Sequence, residues 1–396
     1  MSTRPTVKLR PGKGARLAEG APWAYRDELA MDRRTKALAP GTLARLVEGE
    51  RVYGLAAVNP ESTLTARFLD PDPEAEIDAA WFARRLGHAL ALREALFEAP
   101  YYRLVHAEGD ALPGLVIDRF GDALVIQPNA AWVDRALPAL LEAAGALPGV
   151  DRIVVNATSR ARRLEGLEER LDVALGAVDG PLPVPMNGAI YLADLLGGQK
   201  TGLFYDQRPN HAFAAQLARG QRVLDVFCHV GGFGLAALAA GAEAAVAVDS
   251  SAPALALARE GADRMGLAAR FETRQGDAFD ALRAAGEAGE RYGLVVCDPP
   301  AFAPSRDALA AGLRAYEKTA RLAAPLVEGA GWIVLCSCSG AVSPEAFRQA
   351  CARGIAGAGR RGALVRSGRA GADHPQHMAL PEAGYLKALV YRLEAP

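Results

Sequence analysis

From about residue 191 the chain alternates short apolar runs with helical stretches, and this constrains the fold more than any other feature of it. The strand candidates are "RVLDVF", "AAVAVD", "ARFETR", "GLVVCD", "GWIVLCSC", "ALVRSG" and "YLKALVYRLE". Helical patterns such as "APALALAREGADRMG" and "DALAAGLRAYEKTARLAAPLV" fill the gaps. Such alternation predicts an α/β domain, a parallel sheet with helices on both faces. Ligands of such sheets bind at the carboxyl ends of the strands.

Two further blocks precede it. Up to about residue 72, "TVKLRPG", "TLARLVEGERVYGLAAVN" and "TLTARFLD" read as strands of a small β-barrel. Residues 1–36 hold nine Lys/Arg against four Asp/Glu, a local basic excess that suits either RNA or a solvated surface. Residues 73–190 read as an α+β middle domain. "DAAWFARRLGHALALREALF" has helical periodicity, whereas "YRLVHAEGDALPGLVIDRFGDALVIQP" and "VDRIVVNATSRARRLEGLEE" look like strands. Arg160, Arg162 and Arg163 form either a basic RNA-contacting patch or an ordinary exposed turn.

The whole chain nearly balances its charges, at net −1, so charge alone announces no nucleic acid. No run approaches about 18 uncharged apolar residues, and the start has no apolar core of signal-peptide length. Five scattered cysteines make no disulfide framework. A cytoplasmic protein without membrane spans or an obligate protein partner is expected. A Cys336–Cys338 disulfide is disfavoured, because positions two apart on a strand lie about 6.5–7 Å from each other.

Acids recur one strand–helix unit apart: Asp225, Asp249, Asp277 and Asp298. Any one alone is an ordinary helix cap. Four in register suggest a crevice for a cationic, hydroxyl-rich ligand, which S-adenosylmethionine matches. Gly231, Gly232 and Gly234 in "LDVFCHVGGFG" allow close backbone approach, and no phosphate-binding P-loop pattern occurs. "VVCDPPAFAPS" places Asp298 before two prolines that stiffen the edge, and Cys297, on the opposite face, reads as packing.

Cys336 lies inside the fifth strand and reads as packing. Cys338 lies at its end, in Ser-Cys-Ser-Gly. It is either packing or a nucleophile able to attack C6 of a pyrimidine and so activate C5. A zinc site has too few ligands in view, with only His374 and His377 to add, so no metal is expected.

The last block resembles the class I S-adenosylmethionine-dependent methyltransferases. The whole chain is similar to bacterial large-subunit ribosomal RNA cytosine-5 methyltransferases carrying an N-terminal PUA domain. The phrases that carry the resemblance are "LRPGKGARLAEGAPWAY", "YRLVHAEGDALPGLVIDRFGD", "QKTGLFYDQR", "DVFCHVGGFG", "VCDPPAF", "CSCSG" and "ADHP" near "GYLKAL". The resemblance implies a PUA-like domain over 1–72, an RNA-binding middle domain over 73–190 and a Rossmann-like seven-stranded methyltransferase domain over 191–396. It implies S-adenosylmethionine as cofactor and large-subunit (23S) ribosomal RNA as partner. Cys338 is the implied nucleophile, and Asp298 is the second candidate catalytic residue. Asp225, Phe227, Gly231, Gly232, Asp249, Ser250, Asp277, Ala278 and Asp298, with Gln207 and Arg208 of "YDQR", are the implied cofactor residues.

Two positions depart from relatives. Ala301 stands where many RNA cytosine-5 methyltransferases carry a second cysteine for product release, leaving Asp298 as the candidate base. His229 is unusual in its turn and reads as loop filling. Alternative readings are a guanine-nitrogen methyltransferase on the same scaffold, a non-catalytic RNA-binding assembly factor and, more remotely, a nicotinamide-dependent dehydrogenase.

Overall fold

The computed structural model describes residues 4–198, 201–380 and 383–395, so Gln199 and Lys200 of "QKTGLFYDQR" lie outside the described residues. Two compact units emerge. One comprises Met1–Gly180, Leu195–Thr201 and Ala372–Pro381, the other Pro181–Asp194, Gly202–Gly371 and Glu382–Pro396.

The first unit opens with β1 (Thr6–Lys8), β2 (Trp23–Ala24), β3 (Thr42–Glu48), β4 (Arg51–Val58) and β5 (Ala66–Asp70), interrupted by the short helices α1 (Ala15–Ala18) and α2 (Arg33–Lys36). The strands pair in the order β1-β3-β4-β5-β2. Val7, Leu46, Ala56 and Val58 lie in their core. Then come α3 (Ala79–Leu96) and a sheet of β6 (Tyr101–His106), β7 (Leu115–Phe120), β8 (Ala123–Pro128), β9 (Arg152–Ala157) and β10 (Arg170–Leu175). Helices α4 (Ala131–Arg135) and α5 (Leu137–Gly145) make the crossover between the parallel pair β8 and β9. Asp78 caps α3 by accepting the Trp81 N–H at 2.8 Å. Phe82 and Trp132 stack at 6.0 Å in the core beneath it.

In the arginine cluster, Arg160 and Arg163 are exposed as expected, whereas Arg162 departs from both sequence readings. Residues Arg160–Leu164 form a one-turn helix, α6, rather than strand. Arg162 is 0% exposed. Its guanidinium donates to the carbonyls of Pro128 at 2.5 Å and Glu168 at 2.7 Å and to the Asp134 carboxylate at 2.9 Å. It is therefore a buried tie between β8, α4 and the approach to β10, and cannot reach RNA. The planar fork explains the choice of arginine, since it meets several fixed oxygens at once. Arg163 stays exposed and pairs with Glu169 at 2.6 Å.

The second unit begins with a hairpin, β11 (Leu182–Met186) and β12 (Ala189–Ala193). Asn187 and Gly188 close it with φ of 54° and 75°, which suits an Asn-Gly turn. Beyond it lie α7 (Arg208–Leu217), β13 (Arg222–Val226), α8 (Gly232–Ala239), β14 (Ala244–Asp249), α9 (Ala252–Arg264), β15 (Phe271–Gln275), α10 (Ala278–Glu287) and β16 (Tyr292–Cys297). α11 (Leu309–Ala323), β17 (Val327–Ser337), α12 (Pro344–Gly357), β18 (Gly362–Gly368) and β19 (Lys387–Leu393) complete it.

All seven strand candidates of the last block form one sheet, ordered β15-β14-β13-β16-β17-β19-β18. The expectation of a parallel sheet fails at β19, which runs antiparallel to both β17 and β18. Among the described residues no α-helix lies between β18 and β19. Residues Ala372–Pro381 of that connection belong to the first unit, and the chain re-enters the sheet in reverse. Burial is nearly total in the central strands, as in Val295, Val296, Ile333 and Val334, whereas the edge strands β15 and β18 are partly to largely exposed.

Arg162→Ala is expected to cost about 3 kcal/mol of stability, as loss of a buried charged tie. Arg163→Ala should cost under about 1 kcal/mol. Urea denaturation of the two variants measures the difference.

Candidate active site

The turn from β13 into α8 is built on unusual backbone. Phe227, His229 and Gly231 all have positive φ, of 62°, 50° and 83°. Glycine takes that conformation freely, whereas Phe and His do not, so the surroundings must hold them there. His229 is held by its N–H, which donates to Asp249 Oδ2 at 2.8 Å. Its ring lies 5.0 Å from that of Phe204.

The glycines allow close approach, but to the chain's own side chains. A Cβ on Gly232 would lie 2.7 Å from His211 Nε2, and one on Gly234 would lie 3.4 Å from Asp225 Oδ2. Asp225 is completely buried, and its Oδ2 accepts the Gly234 N–H at 2.8 Å. It lies beneath the turn rather than on its surface, and burial pushes its carboxyl up to about 7.

The other acids emerge at the carboxyl ends of the parallel strands. Half-buried Asp249 ends β14, its Oδ1 accepting the Ser251 N–H at 2.9 Å, with Ser250 exposed beside it. Asp277 follows β15, is exposed and caps α10, accepting the N–H groups of Phe279 and Asp280 at 2.9 and 3.1 Å. Ala278 is buried in the first position of that helix. Asp298 follows β16, half-buried, with its N–H on the Val226 carbonyl at 3.2 Å.

The "YDQR" segment packs just before α7. Asp206 Oδ2 accepts the Tyr385 hydroxyl at 2.6 Å, and Gln207 Oε1 accepts the Asn210 amide at 2.7 Å. The Arg208 guanidinium lies 5.3 Å from the centre of the Tyr205 ring. Among the described residues, Asp206 Oδ1, Asn210 Oδ1, His211 Nδ1 and Asp225 Oδ1 are buried polar atoms without a protein partner. Most buried polar atoms are paired, so this concentration suits an edge that receives a polar ligand. S-adenosylmethionine, with its sulfonium, ribose and amino-acid end, fits a donor set of carboxylates and amides.

The setting of Cys338 explains its flanking serines. Ser337 and Ser339 are both buried, and both bond to the Tyr316 hydroxyl of α11, at 2.9 and 2.7 Å. Ser339 Oγ also accepts the Ala303 N–H at 3.1 Å. Successive side chains alternate, so anchoring both serines on one side turns Cys338 to the other. Its Sγ lies 4.0 Å from the Pro299 carbonyl. Of the five free cysteines, Cys338 is half-buried and the other four are buried. Burial pushes the thiols of Cys228, Cys297, Cys336 and Cys351 up, away from reactivity.

Sequence reasoning missed Tyr316, Tyr385 and Lys387. "GYLKAL" contained the last two, but nothing in its periodicity tells which elements they meet. "ADHP" belongs elsewhere. Asp373 Oδ2 accepts the Arg103 N–H at 3.0 Å, and the His374 ring lies 4.8 Å from that of His106, all within the first unit. Among the described residues no group of three or more His, Cys, Asp or Glu side chains could hold a metal ion. None of the described helices is long and apolar enough to cross a membrane.

Comparison with known proteins agrees with this geometry. A family model described as S-adenosylmethionine-dependent methyltransferase matches residues 178–392, and one described as a PUA-like domain matches residues 7–71. The chain is 36% identical over 402 residues to the ribosomal RNA large subunit methyltransferase I of Tolumonas auensis, covering 99% of this chain and 100% of the relative. It is 34% identical over 393 residues to the protein of the same name from Shewanella denitrificans, covering 98% and 99%. A putative S-adenosylmethionine-dependent methyltransferase from Streptococcus mutans superposes with a TM-score of 0.82 at 18% identity, covering 98% of this chain and all of that one. Another solved structure, of a putative methyltransferase complexed with SAH, gives 0.83 at 18% identity, with coverage of 98% and 100%. At that identity the two structures speak for the fold.

Two measurements check the site's construction. Tyr316→Phe should cost about 1–3 kcal/mol, by leaving the buried serine hydroxyls short of a partner. Asp225 titrates near 7 when folded and near 3.8 when unfolded, so the folded state holds the extra proton between those values. Stability should therefore fall as pH rises through that window. Asp225→Asn should lose this dependence and gain on the parent by about 2–3 kcal/mol between pH 5 and pH 8, in denaturation without added cofactor.

Proposed function

The chain belongs to the S-adenosylmethionine-dependent methyltransferase family, with a PUA-like domain ahead of the methyltransferase domain, and we propose that it methylates C5 of one cytosine in large-subunit ribosomal RNA. The substrate class follows the names of the full-length relatives. What carries the choice of atom is Cys338, the one cysteine that is not buried, held at the end of β17 beside the Asp298–Pro299 edge. An aromatic C5 is inert until a nucleophile adds at C6, and a positioned thiolate is suited to that addition.

Bound S-adenosylmethionine supplies an electrophilic methyl group. The residues that would hold it line the ends of β13 to β16: Phe227, Gly231 and Gly232 in the first turn, Asp249 with Ser250, and Asp277 with Ala278, joined by Asp298, Gln207 and Arg208. Asp225 supports the first turn from beneath through the Gly234 N–H. The cytosine leaves its stack to enter the cleft, at a cost of a few kcal/mol that is smaller for an unpaired base. Cys338 Sγ forms a bond to C6, and the electron pair displaced from the ring double bond makes C5 nucleophilic. After C5 is methylated, its proton passes to a base, the C6–S bond breaks and the thiolate returns. With Ala301 in place of a second cysteine, Asp298 is the candidate for that base and for hydrogen bonding to the N3 and N4 edge. The PUA-like domain and the middle domain grip the RNA through lysines and arginines, and the protein works in the cytoplasm, where its substrate is assembled.

Incubating purified protein and S-adenosylmethionine with unmodified large-subunit ribosomal RNA, followed by nucleoside mass spectrometry, tests this. The wild type should form 5-methylcytidine. Cys338→Ala should lower turnover by at least about a thousandfold while S-adenosylmethionine affinity stays within about threefold. A methylated guanosine, or equal 5-methylcytidine from both proteins, would overturn the reading.

A further inference from the structure

Lys387 is a buried ammonium directly behind the Cys338 turn. It opens β19, and its Cα pairs across the sheet with that of Ser337. Its Nζ donates to the carbonyl of Ser339 at 2.7 Å and to that of Val342 at 2.8 Å. It thus braces the backbone immediately after Cys338. Only 5% of the residue is exposed, and among the described residues no carboxylate is paired with it. A buried cation without a counter-ion is costly, and a negative charge on Cys338, the residue before the carbonyl of Ser339 that it holds, would relieve that cost.

We propose that Lys387 is the positioning residue that holds Cys338 as a thiolate, its ammonium fixing the Ser339–Val342 turn and stabilising the charge on the neighbouring sulfur. This rests on the reading of Cys338 as the nucleophile. The other titratable groups packed around the turn do not supply that stabilisation. Tyr316 on α11 is a neutral phenol bonded to both serines. Asp298, one residue before the Pro299 carbonyl that faces Sγ, is an acid and opposes a second negative charge. Cys336 is buried on the strand behind, its thiol pushed up by burial and by Asp298. Burial pulls Lys387 down to about 8, and Cys338 acts on it in the opposite direction.

Protons balance simply. Before RNA binds, the Cys338 thiol loses its proton to solvent, and Lys387 keeps its own. The C6–S bond then forms without a proton transfer. When that bond breaks, the thiolate returns to the ammonium, and nothing need protonate the sulfur.

The test is the pH dependence of Cys338 alkylation by iodoacetamide, followed by peptide mass spectrometry on the full chain without RNA. In the wild type the midpoint should lie at least one pH unit below the value of about 8.5 for an ordinary thiol. Lys387→Gln should raise the midpoint by about one unit and slow the reaction at pH 7 about tenfold, whereas Lys387→Arg should keep it low. A lysine that only braced the turn would change the rate by one factor at every pH and leave the midpoint in place, so an unmoved midpoint in Lys387→Gln overturns the proposal. S-adenosylmethionine binding and circular dichroism establish that each variant is folded. Should the glutamine variant not fold, the wild-type profile decides, since a midpoint at or above about 8.5 overturns the proposal by itself. A low midpoint in a protein that makes no 5-methylcytidine keeps the ion pair and removes the cytosine reading. Normal 5-methylcytidine formation with an ordinary midpoint does the reverse.

Discussion

The hydroxyl of Tyr316 is the point through which the candidate chemistry is held in register. One phenol oxygen can donate one hydrogen bond and accept others, and here it serves two buried serines at once. Ser339 in turn accepts the Ala303 N–H from the loop that begins at Asp298. α11, the end of β17 and the loop after β16 are thereby joined in one closed polar network. Cys338 and Asp298 come from different strands, and their separation is set by these bonds rather than by either strand alone. Such a network is stable when complete and costly when one member is lost, which suits a site that tolerates little movement.

The strand–helix alternation of the last block was legible because short apolar runs give way to a period of about 3.6 at each boundary, and the central strands are almost completely buried. The reversed β19 was not legible. Apolar patterning records which residues are buried, and a strand buried on both faces reads the same in either direction. The hairpin at Asn187-Gly188 is legible in the sequence, since Asn-Gly between apolar runs is among the strongest short-range signals. Arg162 shows the converse. Three arginines within four positions suggest a surface, but the partners that bury Arg162 lie 34 and 28 residues away, at Pro128 and Asp134. No local pattern carries that information.

The candidate site divides in the same way. That Cys338 lies at a strand end, facing opposite to its neighbours, followed from strand alternation. Why serine stands on both sides did not, because Tyr316 is more than twenty residues upstream on a helix. Lys387 was hidden for the same reason, as one lysine in an otherwise apolar strand whose side chain turns inward to meet two carbonyls.

The acids along the strand edge join two readings that looked exclusive. Asp277 is a helix cap, and Asp249 accepts one backbone amide on each oxygen. Each is therefore part of the turn that follows its strand. A carboxylate nevertheless has about four acceptor positions, so capping uses only part of its capacity. What separates the acids is exposure rather than bonding. Asp249 and Asp298 are half-buried and Asp277 is exposed, so all three remain accessible at the carboxyl ends of their strands. Asp225 is covered, and its Oδ2 fixes the backbone of the turn through the Gly234 amide. The same residue type at the same strand end thus does different work according to how far the turn above it closes, which no spacing in the sequence records.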